Sequence, residues 1–228
     1  MSDIFSLSPL SILGKEGLKG KMCLLIARAG VGKTATLINM GLKVVFDGGR
    51  LIHISLEEAE PEKIRSYYEV ILSEIIRLCD PESDLKEFKR QMEERRMIIT
   101  YPKERFSIEL LNRTLDDLKR HMGFSPLMLI LEGMDLQSEG MDNLYRLKEI
   151  AIDYGSILWL SSRIDIVDME EDSTKWLRGI METDLFSYVF QLASSSDSLY
   201  LYVLKDRRGI LRKRRQIELD PDTFLISS

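Results

Sequence analysis

Residues 24–37 read "LLIARAGVGKTATL": an apolar run, a glycine-bearing turn that closes on Gly-Lys-Thr, and the start of a second apolar pattern. Extended backwards the run is "KMCLLIA" (21–27), short and apolar as a strand is. Extended forwards it is "KTATLINMGLKVVF" (33–46), where Leu37, Met40 and Leu42 fit one helix face. The turn matches the phosphate-loop pattern G-x-x-x-x-G-K-[ST] at every position except the first, where Ala27 stands. Glycine at 30 and 32 permits backbone N–H groups of residues 30 to 34 to approach phosphate oxygens at a helix N-terminus, whose dipole favours negative charge. The nucleotide-binding residues expected from this loop are Ala29, Gly30, Val31, Gly32, Lys33, Thr34 and Ala35. Lys33 is expected to reach the β- and γ-phosphates and the Thr34 hydroxyl to bind Mg²⁺. A turn that merely carries Lys and Thr is the competing reading, and its place between a buried strand and a helix argues against that.

Outward from the loop, strand and helix signals alternate. "GGRLIHISL" (48–56) reads as a strand and "EEAEPEKIRSYYEVILSEIIRLC" (57–79) as a helix with Pro61 near its first turn. "DLKEFKRQMEERR" (84–96) reads as a short helix and "MIITY" (97–101) as a third strand. "SIELLNRTLDDLKRHMG" (107–123) is an amphipathic helix with Gly123 past its end. "SPLMLILEGMD" (125–135) and "SILWLSS" (156–162) have the continuous apolar character of strands buried on both faces, with the helical "MDNLYRLKEIAIDYG" (141–155) between them. Near the C-terminal end, "LFSYVFQLA" (185–193), "SLYLYVLK" (198–205) and "ILRKRRQIEL" (210–219) are three further apolar stretches. "DRRG" (206–209) joins the last two as a hairpin. The expected fold is α/β in three layers: a mostly parallel central sheet, helices on both faces, and C-terminal antiparallel strands.

At 228 residues the chain fits one large domain spanning 1–228, with residues 1–15 as an N-terminal extension. Hydrophobic residues make up 44% and charged residues 30%, which is ordinary for a globular chain with a sizeable core and argues against disorder. A net charge of -5 argues against a surface built wholly for nucleic acid, although the hairpin 198–219 gathers Arg207, Arg208, Arg212, Lys213, Arg214 and Arg215. Strand alternation would divide Arg212 and Arg214 from Lys213 and Arg215, and edge strands also carry such charges to avoid pairing with other chains. The segment 163–175 is acidic, with Asp165, Asp168, Glu170, Glu171 and Asp172, and would repel a polyphosphate. Cys23 and Cys79 have no metal-ligand spacing. With only two cysteines a reducing cytoplasm is the expected compartment, and since no run approaches membrane-spanning length and the start does not read as a signal peptide, no membrane contact is expected.

Five further segments bear on identity: "ISLEE" (54–58), "LMLILEGMDLQ" (127–137), "ILWLSSRI" (157–164), "LRGIMETDLFSYVFQL" (177–192) and "VLKDRRG" (203–209). In motif order, over roughly residues 12–220, the chain resembles the RecA-like ATPases, and among them the DnaB-type helicases with their KaiC and RepA-like relatives. In that group an A-R-x-x-x-G-K-T loop is a familiar variant, so Ala27 followed by Arg28 looks like a family form.

The resemblance implies that Glu57 orients or deprotonates the attacking water, with Glu58 as its rival and the acidic first turn of a helix as the bland alternative for both. It implies that Glu132 stands in the place of the Walker B aspartate and holds Mg²⁺ with Thr34, Asp135 being an alternative. Ser162 occupies the place of a coupling glutamine. Lys205 and Arg207 resemble the residues that ring-forming relatives extend into a neighbouring subunit's site.

The function thus implied is an ATP-binding, slowly hydrolysing, homo-oligomeric ATPase. A hexameric ring is one form of it, acting as a switch on a protein partner or as a motor. Two alternatives stay open: a nucleotide-binding regulatory or structural module with negligible turnover, and a helicase-like ATPase that binds nucleic acid.

Overall fold

The computed structural model describes residues 4–14, 19–163, 175–195 and 198–227. The acidic segment singled out above, apart from Arg163 and Lys175, lies outside the described residues. The helices and strands follow the expected alternation: β1 (Met22–Ala27), α1 (Lys33–Phe46), β2 (Leu51–Ser55), α2 (Pro61–Cys79), α3 (Leu85–Arg95) and β3 (Arg96–Thr100). Then come α4 (Ile108–Met122), β4 (Met128–Glu132), α5 (Met141–Asp153), β5 (Ile157–Arg163), α6 (Lys175–Glu182), β6 (Tyr188–Ser195), β7 (Ser198–Asp206) and β8 (Gly209–Leu219). Local signals account for the boundaries. Pro61 opens α2, the Ser107 side chain caps α4 by accepting from the Leu110 N–H, and Gly123 closes α4 at φ 59°.

The eight strands form one sheet in the order β3-β2-β4-β5-β1-β6-β7-β8. The first six in that order are parallel, and β7 pairs antiparallel with both β6 and β8. β6 lies parallel beside β1 and antiparallel beside β7, so β7 alone runs against the other strands, and β8, antiparallel to β7, returns to their direction. A buried strand needs both faces covered, and the alternation of Cβ directions sorts its side chains accordingly. Cys23 and Leu25 join a cluster with residues of α1, α2 and α3, whereas Met22, Leu24 and Ile26 join one with residues of α4, α5 and α6. The result is helix, sheet and helix in three layers.

The N-terminal extension is part of the first cluster. Ile4, Phe5, Leu10 and Leu13 are buried there, with a 3-10 turn at Pro9–Leu13. The segment after β8 closes over the same face. Asp220 turns the chain by accepting from Thr223, the Asn39 amide of α1 donates to the Thr223 carbonyl at 2.7 Å, and the Ile226 N–H donates to the Leu7 carbonyl. Among the described residues, no helix is long and apolar enough to cross a membrane.

Candidate nucleotide site

The loop between β1 and α1 emerges at the carboxyl end of the parallel strands, where open α/β sheets place their ligands. Ala27 is the last residue of β1, buried and paired in register with Arg163 and Leu192. Its backbone has no positive φ, unlike Gly30 at 77° and Gly32 at 108°. The pattern's first glycine is therefore dispensable here, because the strand extends through that position and left-handed backbone begins only at residue 30. Gly32 is the N-cap of α1, so the first-turn N–H groups that follow it have no carbonyl within the helix to bond. The Lys33 ammonium lies over the loop, 3.5 Å from the Ala27 carbonyl and 3.4 Å from that of Arg28.

A cleft of about 550 Å³ opens at this loop. It is lined by Ala29, Gly30, Gly32, Lys33, Thr34 and Ala35, with Glu57, Tyr67, Ile71, Glu132 and Arg163 around them. Expected loop, metal and water-activating residues thus meet in one cleft. Val31 is half-buried and packs against the apolar cluster beneath α1.

Glu132 ends β4, beside Ser55 of β2. Its Oε1 accepts from the Thr34 hydroxyl at 3.0 Å and the Ser161 hydroxyl at 3.3 Å, and its Oε2 lies 2.8 Å from His53 Nε2. Burial raises the affinity of this carboxyl for a proton, but the hydrogen bonds from His53, Thr34 and Ser161 outweigh it and hold the group below the ordinary carboxylate range. A divalent cation takes oxygen ligands, commonly one or two from protein and the rest from phosphate and water. The Thr34 hydroxyl beside a buried, ionised carboxylate fits that chemistry. Among the described residues, no group of three or more His, Cys, Asp or Glu could hold a metal ion.

The two rival glutamates part company. Both N–H groups of Glu57 and Glu58 donate to the Ser55 hydroxyl, which fixes the turn. Glu57 projects exposed along the cleft, while the Glu58 carboxylate accepts from the Glu60 N–H and lies near Lys63. Gly133 makes room for Glu57: a Cβ at Gly133 would come within 2.6 Å of the Glu57 Cγ. Asp135 is exposed and accepts from the Gln137 N–H, away from the cleft lining. Ser162, given weight in the sequence, is buried on the face of β5 opposite Glu132. Its neighbour Ser161 makes the contact.

Lys205 and Arg207 lie at the far end of β7 from the loop, since β7 runs antiparallel to β6. The Lys205 ammonium is buried and donates to the carbonyls of Met181, at 2.7 Å, and Thr183. Burial lowers its affinity for a proton. Arg207 is exposed in the two-residue turn between β7 and β8, near the Tyr188 hydroxyl. Arg212, Lys213, Arg214 and Arg215 are exposed on β8, an edge strand, where the register to β7 slips between Val203 and Lys205.

Sequence reasoning missed His53, which reads as one polar residue in an apolar strand, and Ser161. The signal available was period-two spacing: His53 and Ser55 share a face of β2. It missed Phe224 as well, whose ring sits against Gly32, because nothing local links residues almost two hundred positions apart. No family model and no curated protein matches this chain, so the site is read from its own geometry.

Proposed function

We propose that the chain binds ATP with Mg²⁺ at residues 29–35 and hydrolyses it slowly, as a subunit of a RecA-like homo-oligomer that works as a nucleotide-dependent switch or motor. One observation carries this reading. The Thr34 hydroxyl and the Glu132 carboxylate meet at 3.0 Å on the wall of the cleft that the glycine loop and Glu57 also line. Loop N–H groups and Lys33 bind and orient the phosphates. Glu57 orients the attacking water and accepts its proton as the water oxygen bonds to the γ-phosphorus and the bond from that phosphorus to the β–γ bridging oxygen breaks, which leaves ADP and phosphate. Thr34 and Glu132 are the residues that would hold Mg²⁺, which when bound would neutralise charge on the phosphate oxygens. Arg207, exposed at the opposite end of the sheet from its own loop, suits a role in a neighbour's site. A guanidinium in such a place is worth about 10³–10⁵ in rate.

The test compares wild type with Lys33→Ala for ATP binding and phosphate release, alongside solution mass with and without ATP and Mg²⁺. Lys33-dependent release and a nucleotide-dependent oligomer support the reading. Absence of Lys33-dependent binding removes it. A second reading, a nucleotide-binding module with negligible turnover, draws on the three hydrogen bonds already directed at Glu132. Lys33-dependent binding without release would select it. Stimulation of release by single-stranded DNA at moderate salt would favour the helicase-like alternative, whose support is the basic edge strand β8.

A further inference from the structure

The His53 imidazole is fully buried, and both its nitrogens are engaged. His53 pairs with Ile130 while Ser55 pairs with Glu132, so His53 and Glu132 are diagonal neighbours on one face of β2 and β4. His53 Nε2 lies 2.8 Å from Glu132 Oε2, and Nδ1 lies 3.0 Å from the Tyr68 hydroxyl of α2. The tautomer that satisfies every group follows from the ionised carboxylate, which can only accept. Nε2–H donates to Glu132, leaving Nδ1 to accept the Tyr68 proton. The Tyr68 ring is itself fixed, with the Arg96 guanidinium 4.5 Å from its centroid and Arg96 paired to Glu93.

We propose that His53, braced by Tyr68, is a positioning residue that clamps one oxygen of Glu132 so that the other faces the Thr34 hydroxyl and the cation. This inference rests on the nucleotide reading of the cleft. Its chemical logic is reach. A glutamate has one more rotatable bond than an aspartate, and an unrestrained glutamate at the end of β4 would spread its carboxylate over several rotamers. His53 removes that freedom by holding Oε2 in the interior, while Oε1 stays with Thr34 and Ser161. The clamp explains why a longer acid can stand at position 132, and why a histidine stands at a strand position that packing alone would give to an apolar side chain. Partners that orient a metal-binding carboxylate typically change metal affinity by about 10–100-fold when removed.

The experiment reads Mn²⁺ affinity by electron paramagnetic resonance on the ADP-bound full chain, with ADP affinity in EDTA and thermal unfolding measured in parallel. His53→Phe, which keeps a ring of similar size without donors, is expected to weaken Mn²⁺ binding by about 10–100-fold while ADP affinity in EDTA stays within about twofold. His53→Gln, whose amide nitrogen can donate from near the place of Nε2, is expected to recover most of the loss. Should His53→Phe not fold, Tyr68→Phe decides, because it removes only the hydroxyl that holds Nδ1, with a smaller loss of Mn²⁺ affinity expected. Unchanged Mn²⁺ affinity in the folded variant, or His53→Gln as weak as His53→Phe, overturns the clamp alone. Wild type without Lys33-dependent ADP binding overturns the nucleotide reading and the clamp with it.

Discussion

Gly32→Ala should destabilise the fold itself, whether or not nucleotide is present. Two separate costs meet at this residue. The first is conformational: at φ 108° an L side chain is strained, at about 1–2 kcal/mol. The second is crowding, because a Cβ at Gly32 would stand 2.6 Å from Phe224 Cε1 and 3.1 Å from Cζ, and overpacking typically costs about 1–3 kcal/mol. Together they make about 2–5 kcal/mol, against a total stability of about 5–15 kcal/mol for a protein domain. For a chain of this size that is a fall in Tm of about 4–20 °C. Urea unfolding of four proteins separates the two costs: wild type, Gly32→Ala, Phe224→Ala and the double variant. In the Phe224→Ala background the methyl has no ring to meet, so the glycine substitution should cost only the conformational part. The coupling between the two sites should then be about 1–3 kcal/mol. Equal costs in both backgrounds, within about 0.5 kcal/mol, would refute the argument that the ring and the loop share this space.

Lys205→Met should lower stability by leaving the Met181 and Thr183 carbonyls without their donor, at about 1–3 kcal/mol, whereas Arg207→Ala should lower ATP turnover and leave Tm nearly unchanged; thermal melts and phosphate release tell the two apart. Cys79 is exposed and Cys23 is buried with its thiol pushed up by desolvation, so iodoacetamide should label Cys79 in the native protein and Cys23 only after unfolding, as mass spectrometry would read. The Glu132 carboxyl sits below its ordinary value of 4.5 in the folded chain, so it contributes stability above that pH and loses it as the pH falls through the folded value. Stability curves of wild type and Glu132→Gln should therefore converge on acidification below about 4.5, and a constant gap between them would contradict the assignment.

The elements were legible because each carries its own local signal. Pro61 at the start of α2, Ser107 and Gly123 at the two ends of α4, and the unbroken apolar runs of β4 and β5 need no knowledge of the rest of the chain. The turn between β1 and α1 is legible for the same reason, since the glycines that take its left-handed backbone, Gly30 and Gly32, stand in the same short stretch. What escaped was whatever depends on which strands lie side by side. Hydropathy cannot tell a parallel neighbour from an antiparallel one, so the place of β6 between β1 and β7 is not written in its own residues. The partners of Glu132 come from β2, α1 and β5, and only the order β2-β4-β5 brings His53 and Ser161 to either side of it. Ser161 and Ser162 are adjacent in sequence and point to opposite faces of β5, and only the neighbouring strand shows that Ser161 is the one beside Glu132. Lys205 reads in sequence, with Arg207, as a residue extended toward a neighbouring subunit, because nothing in its own segment shows the carbonyls of Met181 and Thr183 that receive it.

The closure of the C-terminal segment over α1 has a consequence for the order in which the molecule acquires its properties. Asn39 and Thr223 meet across 184 positions of chain, and Phe224 reaches Gly32 from as far away. Contacts of that separation incur their loop entropy early and return enthalpy late, so they form slowly. The loop that looks most local in sequence is thus finished by the most distant piece of it. On refolding from urea, the fluorescence of the buried Trp159 in the middle of the sheet should recover before the capacity to bind ADP, and a single shared rate for both would show that the last segment docks along with the sheet.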